Sequence, residues 1–264
     1  MKILVLALNS FRNAIRQKIL ILFMLIAIGL IVLSRFVMGL NIALGQMDFV
    51  ADFGSGALSF FGVIIAIVAT SQLMHSEYDN KSVNLILSKA VSPLEFVVAK
   101  FLGIGLLLFI YSLVISILTI LLLYYTQYSL EDVPDLLIKG GRKELSLCGF
   151  LAYTFLEYLK ICIVASLTLL VCCVSKAILF SIVISACVYM ICILSSSSLF
   201  DISSAFMYNF ASNIFPDLGV FDSAKNFIFN GVDFALFGYG IAYAFAYMFI
   251  ILLVSAFIFS RREF

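Results

Sequence analysis

The sequence predicts an all-α, polytopic integral membrane protein with six transmembrane helices behind an N-terminal interfacial amphipathic helix. Three observations lead there. Of 264 residues, 64% are hydrophobic and only 12% charged, with a mean hydropathy of +1.19. A soluble domain is about 45–50% apolar and about 25% charged. Second, six apolar runs approach the roughly 20 residues a helix needs to cross a bilayer, at 19–40, 57–74, 95–124, 151–174, 177–199 and 236–259. Third, the basic residues are unevenly shared between the two sets of connections, as the positive-inside rule requires of a multi-span chain.

Each element has its own signal. In residues 1–18, Leu4, Leu8, Phe11, Ile15 and Ile19 recur at helical spacing, with Asn9, Arg12, Asn13 and Arg16 on the other face. A basic amphipathic helix ahead of a span lies in the cytoplasmic interface. The apolar stretch from Ile3 to Leu8 is too short for a cleavable signal and lacks a small-residue cleavage site. The first span contains Arg35, which near a helix end can snorkel to the headgroups. The second ends at His75, the sole histidine, read as an interfacial polar residue. With no Trp, the aromatic belt falls to Tyr124, Tyr125 and Tyr128, where the third span leaves the membrane.

With both termini cytoplasmic, the inside holds ten basic residues: Lys2, Arg12, Arg16, Lys18, Lys81, Lys89, Lys100, Lys176, Arg261 and Arg262. The outside holds five: Arg35, Lys139, Arg142, Lys143 and Lys225. The outer connections also carry most of the acids, Asp52, Asp217 and Asp222 among them. The expected location is a cell membrane, of the prokaryotic inner or plasma-membrane type. The whole chain, 1–264, reads as one transmembrane domain, with a cytoplasmic loop at 75–92 and an outer loop at 200–235 before the last span.

The loop at 75–92 carries the most information. Val83, Leu85, Ile86 and Leu87 form a short apolar stretch between charged flanks. Ser92-Pro93-Leu94-Glu95 is then a capping box with Pro at the first helical position. A third helix from Ser92 to Tyr125 would be about 50 Å long at about 1.5 Å per residue, against a hydrocarbon core of about 30 Å. It must protrude into the cytoplasm, and a protruding, capped loop suits a docking surface.

Within the spans the charged candidates are Glu157 and Lys160, three apart and therefore on one helix face, where they can pair. A span starting near residue 151 places both in its outer half, as a locally satisfied pair serving structure. The competing reading is a substrate or proton site, since intramembrane ionisable groups mark ion pathways. Six cysteines show no C-x-x-C spacing and no accompanying His. They read as small buried hydrophobes rather than a copper(I) path. There is no G-x-x-x-x-G-K-[ST], no zinc ligand set and no Ser/His/acid set. The chain itself is therefore expected to be no enzyme, with no cofactor, metal or nucleic acid of its own.

Four stretches resemble the ABC type-2 transporter permeases, in particular the branch grouped with multi-copper-enzyme-maturation permeases. Ala7-Leu8-Asn9-Ser10-Phe11-Arg12 running into Lys18 is similar to that family's entry helix. Glu77-Tyr78-Asp79-Asn80-Lys81-Ser82, Ile86-Leu87-Ser88-Lys89, Val91-Ser92 and Lys100 resemble its acidic residue, leucine-rich turn and "LSKPVSR" segment. Phe215-Pro216-Asp217-Leu218-Gly219-Val220-Phe221-Asp222 is similar to its outer stretch before the last span, and Phe259-Ser260-Arg261-Arg262-Glu263-Phe264 to its ending. Ala90 departs from the family's Pro. Pro93 stands where the family often has Arg, so an ion pair at that position is not carried over.

The resemblance, which covers the chain end to end, implies the permease subunit of an ABC exporter. Two such chains, identical or related, would pair, each with a separate cytoplasmic ATPase that binds ATP and Mg. The loop would be the coupling element, with Leu85, Ile86 and Leu87 as apolar anchors and Glu77, Asp79, Lys81, Ser82, Lys89 and Ser92 around them. Two other classes compete. A self-powered carrier needs ionisable groups near the midplane and helices broken by Gly or Pro; Gly62, Gly103 and Gly105 are present, but no Pro lies inside a span. A membrane-assembly scaffold would transport nothing. No substrate is specified by any of these residues.

Overall fold

A computed structural model describes residues 2–38, 46–79, 92–131, 145–175, 177–196 and 216–261. Among these every regular element is helical. α1 spans Lys2–Ile15, α2 Lys18–Met38, α3 Gln46–Asp79, α4 Pro93–Glu131, α5 Leu147–Val174 and α6 Ile178–Ser196. Two short helices, α7 (Gly219–Asp222) and α8 (Phe227–Asn230), flank a 3₁₀ turn at Ser223–Asn226, and α9 spans Phe234–Ser260.

Four of these helices, α3, α4, α5 and α9, are long and apolar enough to cross a membrane. A fifth crossing is reached if α1 and α2, bent by 67° at their junction, count as one span. The expectation of six full-length spans is therefore met only in part. Among the described residues the apolar stretch of α6, Ile178–Ile193, falls below the length of these four. The long helices also exceed their expected runs: α3 begins at Gln46 and α4 continues to Glu131. Apolar side chains such as Phe36, Phe60, Leu121, Leu179, Phe245 and Phe249 face outward, which is tolerable in lipid but not in water.

Side-chain contacts give the helix directions. Along α3 and α5, Ser59 meets Lys160, Ser71 meets Cys172 and His75 meets Ser175, so these helices run parallel. Phe259 stacks on Phe96 while Gly240 lies against Leu156, so α9 runs with α5. α4 and α6 run the other way, since Lys100 meets Glu77 whereas Tyr111 reaches the Ala57 carbonyl, and Ser181 meets His75.

Small residues permit the tightest approach. α1 turns Ala7, Ser10 and Ala14 onto α4 and leaves Leu4, Val5, Leu8 and Ile15 exposed. At Gly103 of α4 a Cβ would lie 2.7 Å from both the Ala7 carbonyl oxygen and Ser10 Cβ, so only glycine lets the two backbones meet. Gly149 does the same for the 216–230 segment, because a Cβ there would collide with the Phe227 carbonyl.

Candidate functional site

Two buried polar clusters lie at different levels of the bundle. The first is at the end where α3 stops and α4 begins. The capping box of α4 is formed in both directions: Ser92 N–H donates to Glu95 Oε2 at 3.0 Å and Glu95 N–H to Ser92 Oγ at 3.2 Å. Pro93, the first helical residue, has no N–H to satisfy. One helical face further on, Lys100 donates to Glu77 Oε1 of α3. The lysine side chain is 1% exposed and the glutamate 14%. Lys100 also lies 5.8 Å over the Phe96 ring, which stacks on Phe259 at 5.1 Å. His75 Nε2 is 2.8 Å from Ser181 Oγ, Ser175 Oγ is hydrogen-bonded to Ser181, and Tyr78 sits edge-on to the imidazole. Four helices, α3, α4, α6 and α9, are thus tied together at one level.

This geometry changes the reading of Glu77. The sequence places it among the charges of a solvated loop, but α3 continues through Asp79, and the Glu77 carboxylate turns inward to Lys100. Its partner lies 23 residues away, beyond the connection. Lys81, Ser82, Leu85, Ile86, Leu87 and Lys89 lie outside the described residues, so the loop read from 75 is represented only by its helical flanks.

The second cluster surrounds Lys160. Its Nζ donates to Glu157 Oε1 at 3.3 Å, to Asp222 Oδ1 at 2.7 Å and to Ser59 Oγ at 3.4 Å. Tyr153 OH donates to the same Glu157 oxygen at 3.2 Å. The structure brings Glu157 and Lys160 together as their spacing suggests, with two differences. Lys160 is the fourteenth of 28 residues in α5, midway rather than near one end. Nor is the pair satisfied by itself: Asp222 joins from α7, and Glu157 Oε2 is buried without a hydrogen-bond partner.

Asp222 reaches this depth because 216–230 is a packed segment rather than an open loop. Phe221, Phe227 and Ile228 are buried, and Ser146 N–H donates to the Ile228 carbonyl at 3.1 Å. Asp217 N–H donates to Tyr243 OH at 2.7 Å, and Asp233 caps α9 through Ala235 N–H at 3.0 Å. Asp52 of α3 and Lys225 pair at 2.6 Å on the surface.

Sequence reasoning missed Asp222, Tyr153 and Ser59 around Lys160, and the Lys100 partner of Glu77. Asp222 and Lys160 lie 62 residues apart; no local spacing relates them. Nor does charge balance point to Asp222, because Glu157 already offsets Lys160 within α5. Among the described residues no group of three or more His, Cys, Asp or Glu could hold a metal ion. No family model matches this chain, and no curated protein shows significant similarity to it.

Proposed function

We propose that the chain is the permease subunit of an ABC exporter, driven by a separate ATPase and working as a pair of chains. In this reading α2 and α6 also cross the membrane, making six spans. α1 lies in the cytoplasmic interface, and both termini are cytoplasmic. The reading rests on the resemblance of the four stretches and on the basic asymmetry. α9 turns most of its apolar surface outward, which lipid or a second chain would cover.

One observation carries the mechanism: α3 and α4 are clamped to each other by the Glu77–Lys100 pair next to the segment that joins them. Their 34 and 39 residues make roughly 51 and 58 Å at about 1.5 Å per residue. Both exceed a hydrocarbon core of about 30 Å. Force applied to the 80–91 segment would therefore enter the bundle through two continuous helices moving as one lever. Phe96 and Phe259 would pass part of it to α9. ATP and Mg would be held entirely by the partner.

Co-purification from native membranes tests this reading. The wild-type chain is expected to retain an ATP-binding-cassette ATPase. Ile86→Asp should lose it, because burial of such an apolar anchor is worth about 1.5–3 kcal/mol, roughly ten- to a hundred-fold in affinity. Undiminished recovery with Ile86→Asp would count against the docking role. The mid-helix cluster around Lys160 is what favours the second reading, a self-powered carrier. Transport by the purified chain in vesicles lacking any ATPase would select it.

A further inference from the structure

The cluster around Lys160 is short of one positive charge. Glu157, Lys160 and Asp222, fully ionised, bring two carboxylates to one ammonium. Glu157 is 3% exposed and one of its oxygens has no partner. Among the described residues, the elements around it supply no second cation. α3 contributes the hydroxyls of Ser55 and Ser59, α5 the phenol of Tyr153 and α6 the phenol of Tyr189. α4 has no charged residue between Phe101 and Gln127, and α9 none between Phe234 and Ser260. Lys225, the remaining cation of the 216–230 segment, is held by Asp52. An unneutralised carboxylate inside an apolar helix bundle is costly, so the cluster must gain a positive charge or give up a negative one.

The geometry offers both states. We propose that Glu157 is a proton-binding site whose occupancy is linked to the Asp222 contact. With Asp222 on Lys160, Glu157 carries the proton: one neutral carboxyl, one ammonium and one carboxylate sum to zero. When Asp222 leaves, Glu157 releases that proton to solvent and takes over Lys160 as its own counter-ion at the 3.3 Å contact already present, and the buried charge is again zero. Asp222 can leave by side-chain rotation. Its side chain is 64% exposed, so it can swing off Lys160 while Phe221 and Phe227 stay packed. A proton satisfies the count with the least space, since Oε2 is within a packed interior. The two-state latch belongs to this chain alone and does not rest on the ATPase reading.

Infrared spectroscopy of the full-length chain in lipid tests the proposal without any partner. At neutral pH the wild type is expected to show a protonated-carboxyl C=O band, absent in Glu157→Gln. It should also be absent in Asp222→Asn, where Glu157 is the only acid left to Lys160. Raising the pH on the wild type should abolish the band with release of one proton per chain, which provides a readout should Asp222→Asn fail to fold. A band that persists in Asp222→Asn would break the linkage. A wild type that lacks the band at neutral pH, or that binds a monovalent metal ion in its place, would overturn the proton assignment. None of these outcomes bears on whether an ATPase docks at the other end.

Discussion

The two buried clusters differ in how their charges are balanced. Near His75 one buried ammonium faces one carboxylate: Lys100 meets Glu77, with His75 beside Ser181 and aromatic rings over the pair. Around Lys160 two carboxylates share one cation, and one of the two acids is exposed. A closed pair between long helices has a single low-energy arrangement and suits the transmission of force. An open triad has two arrangements of similar charge and suits a switch. The same residue types thus serve opposite ends in one chain, and the difference is the number of carboxylates per cation.

Breaking the closed pair is expected to have the largest effect. Glu77→Leu strands Lys100, which is almost wholly buried, and removal of one partner from a buried pair costs about 3–5 kcal/mol. Loss of chain stability in a thermal-unfolding assay in lipid or mild detergent would register it. Glu77→Leu combined with Lys100→Leu should recover most of that loss, because neither charge is then left alone. If the single and double variants are equally unstable, the pair is not the clamp described here.

A smaller effect is expected at the cap beside the clamp. Ser92→Ala removes the acceptor for Glu95 N–H and should cost about 1 kcal/mol. Helix fraying at residues 92–95, followed by amide hydrogen exchange, should increase without change at Asp233. Smallest of all should be Glu157→Gln, which keeps the shape and the hydrogen bond from Tyr153 in the protonated-like state. Its stability should fall by less than about 1 kcal/mol, the scale of one ordinary hydrogen bond. A loss comparable to that of Glu77→Leu would mean that Glu157 is ionised in the folded chain, and would erase the contrast between the clusters.

Much of this architecture was legible from residue order, for identifiable reasons. Helices that are apolar all round announce themselves by length and composition, so α3, α4, α5 and α9 were found, with ends displaced by several residues. Polar caps are local, and Ser92-Pro93-Leu94-Glu95 could be read because both of its hydrogen bonds close within three residues. Glu157 and Lys160 share a helix face by spacing alone. What escaped was everything set by the meeting of distant segments. Asp222 sits in a stretch that reads as an outer loop, and only the buried Phe221 and Phe227 draw it against α5. Glu77 reads as a loop charge until α3 is seen to continue past it.

The proposed exporter role turns on what the 80–91 segment touches. A photo-reactive residue in place of Ile86, activated in native membranes, measures that directly, with the exposed Phe234 of α9 as the control position. The expected result is a cross-link from position 86 to an ATP-binding-cassette ATPase and none from position 234. Cross-links from position 86 to lipid alone, in membranes where the ATPase is present, would contradict it.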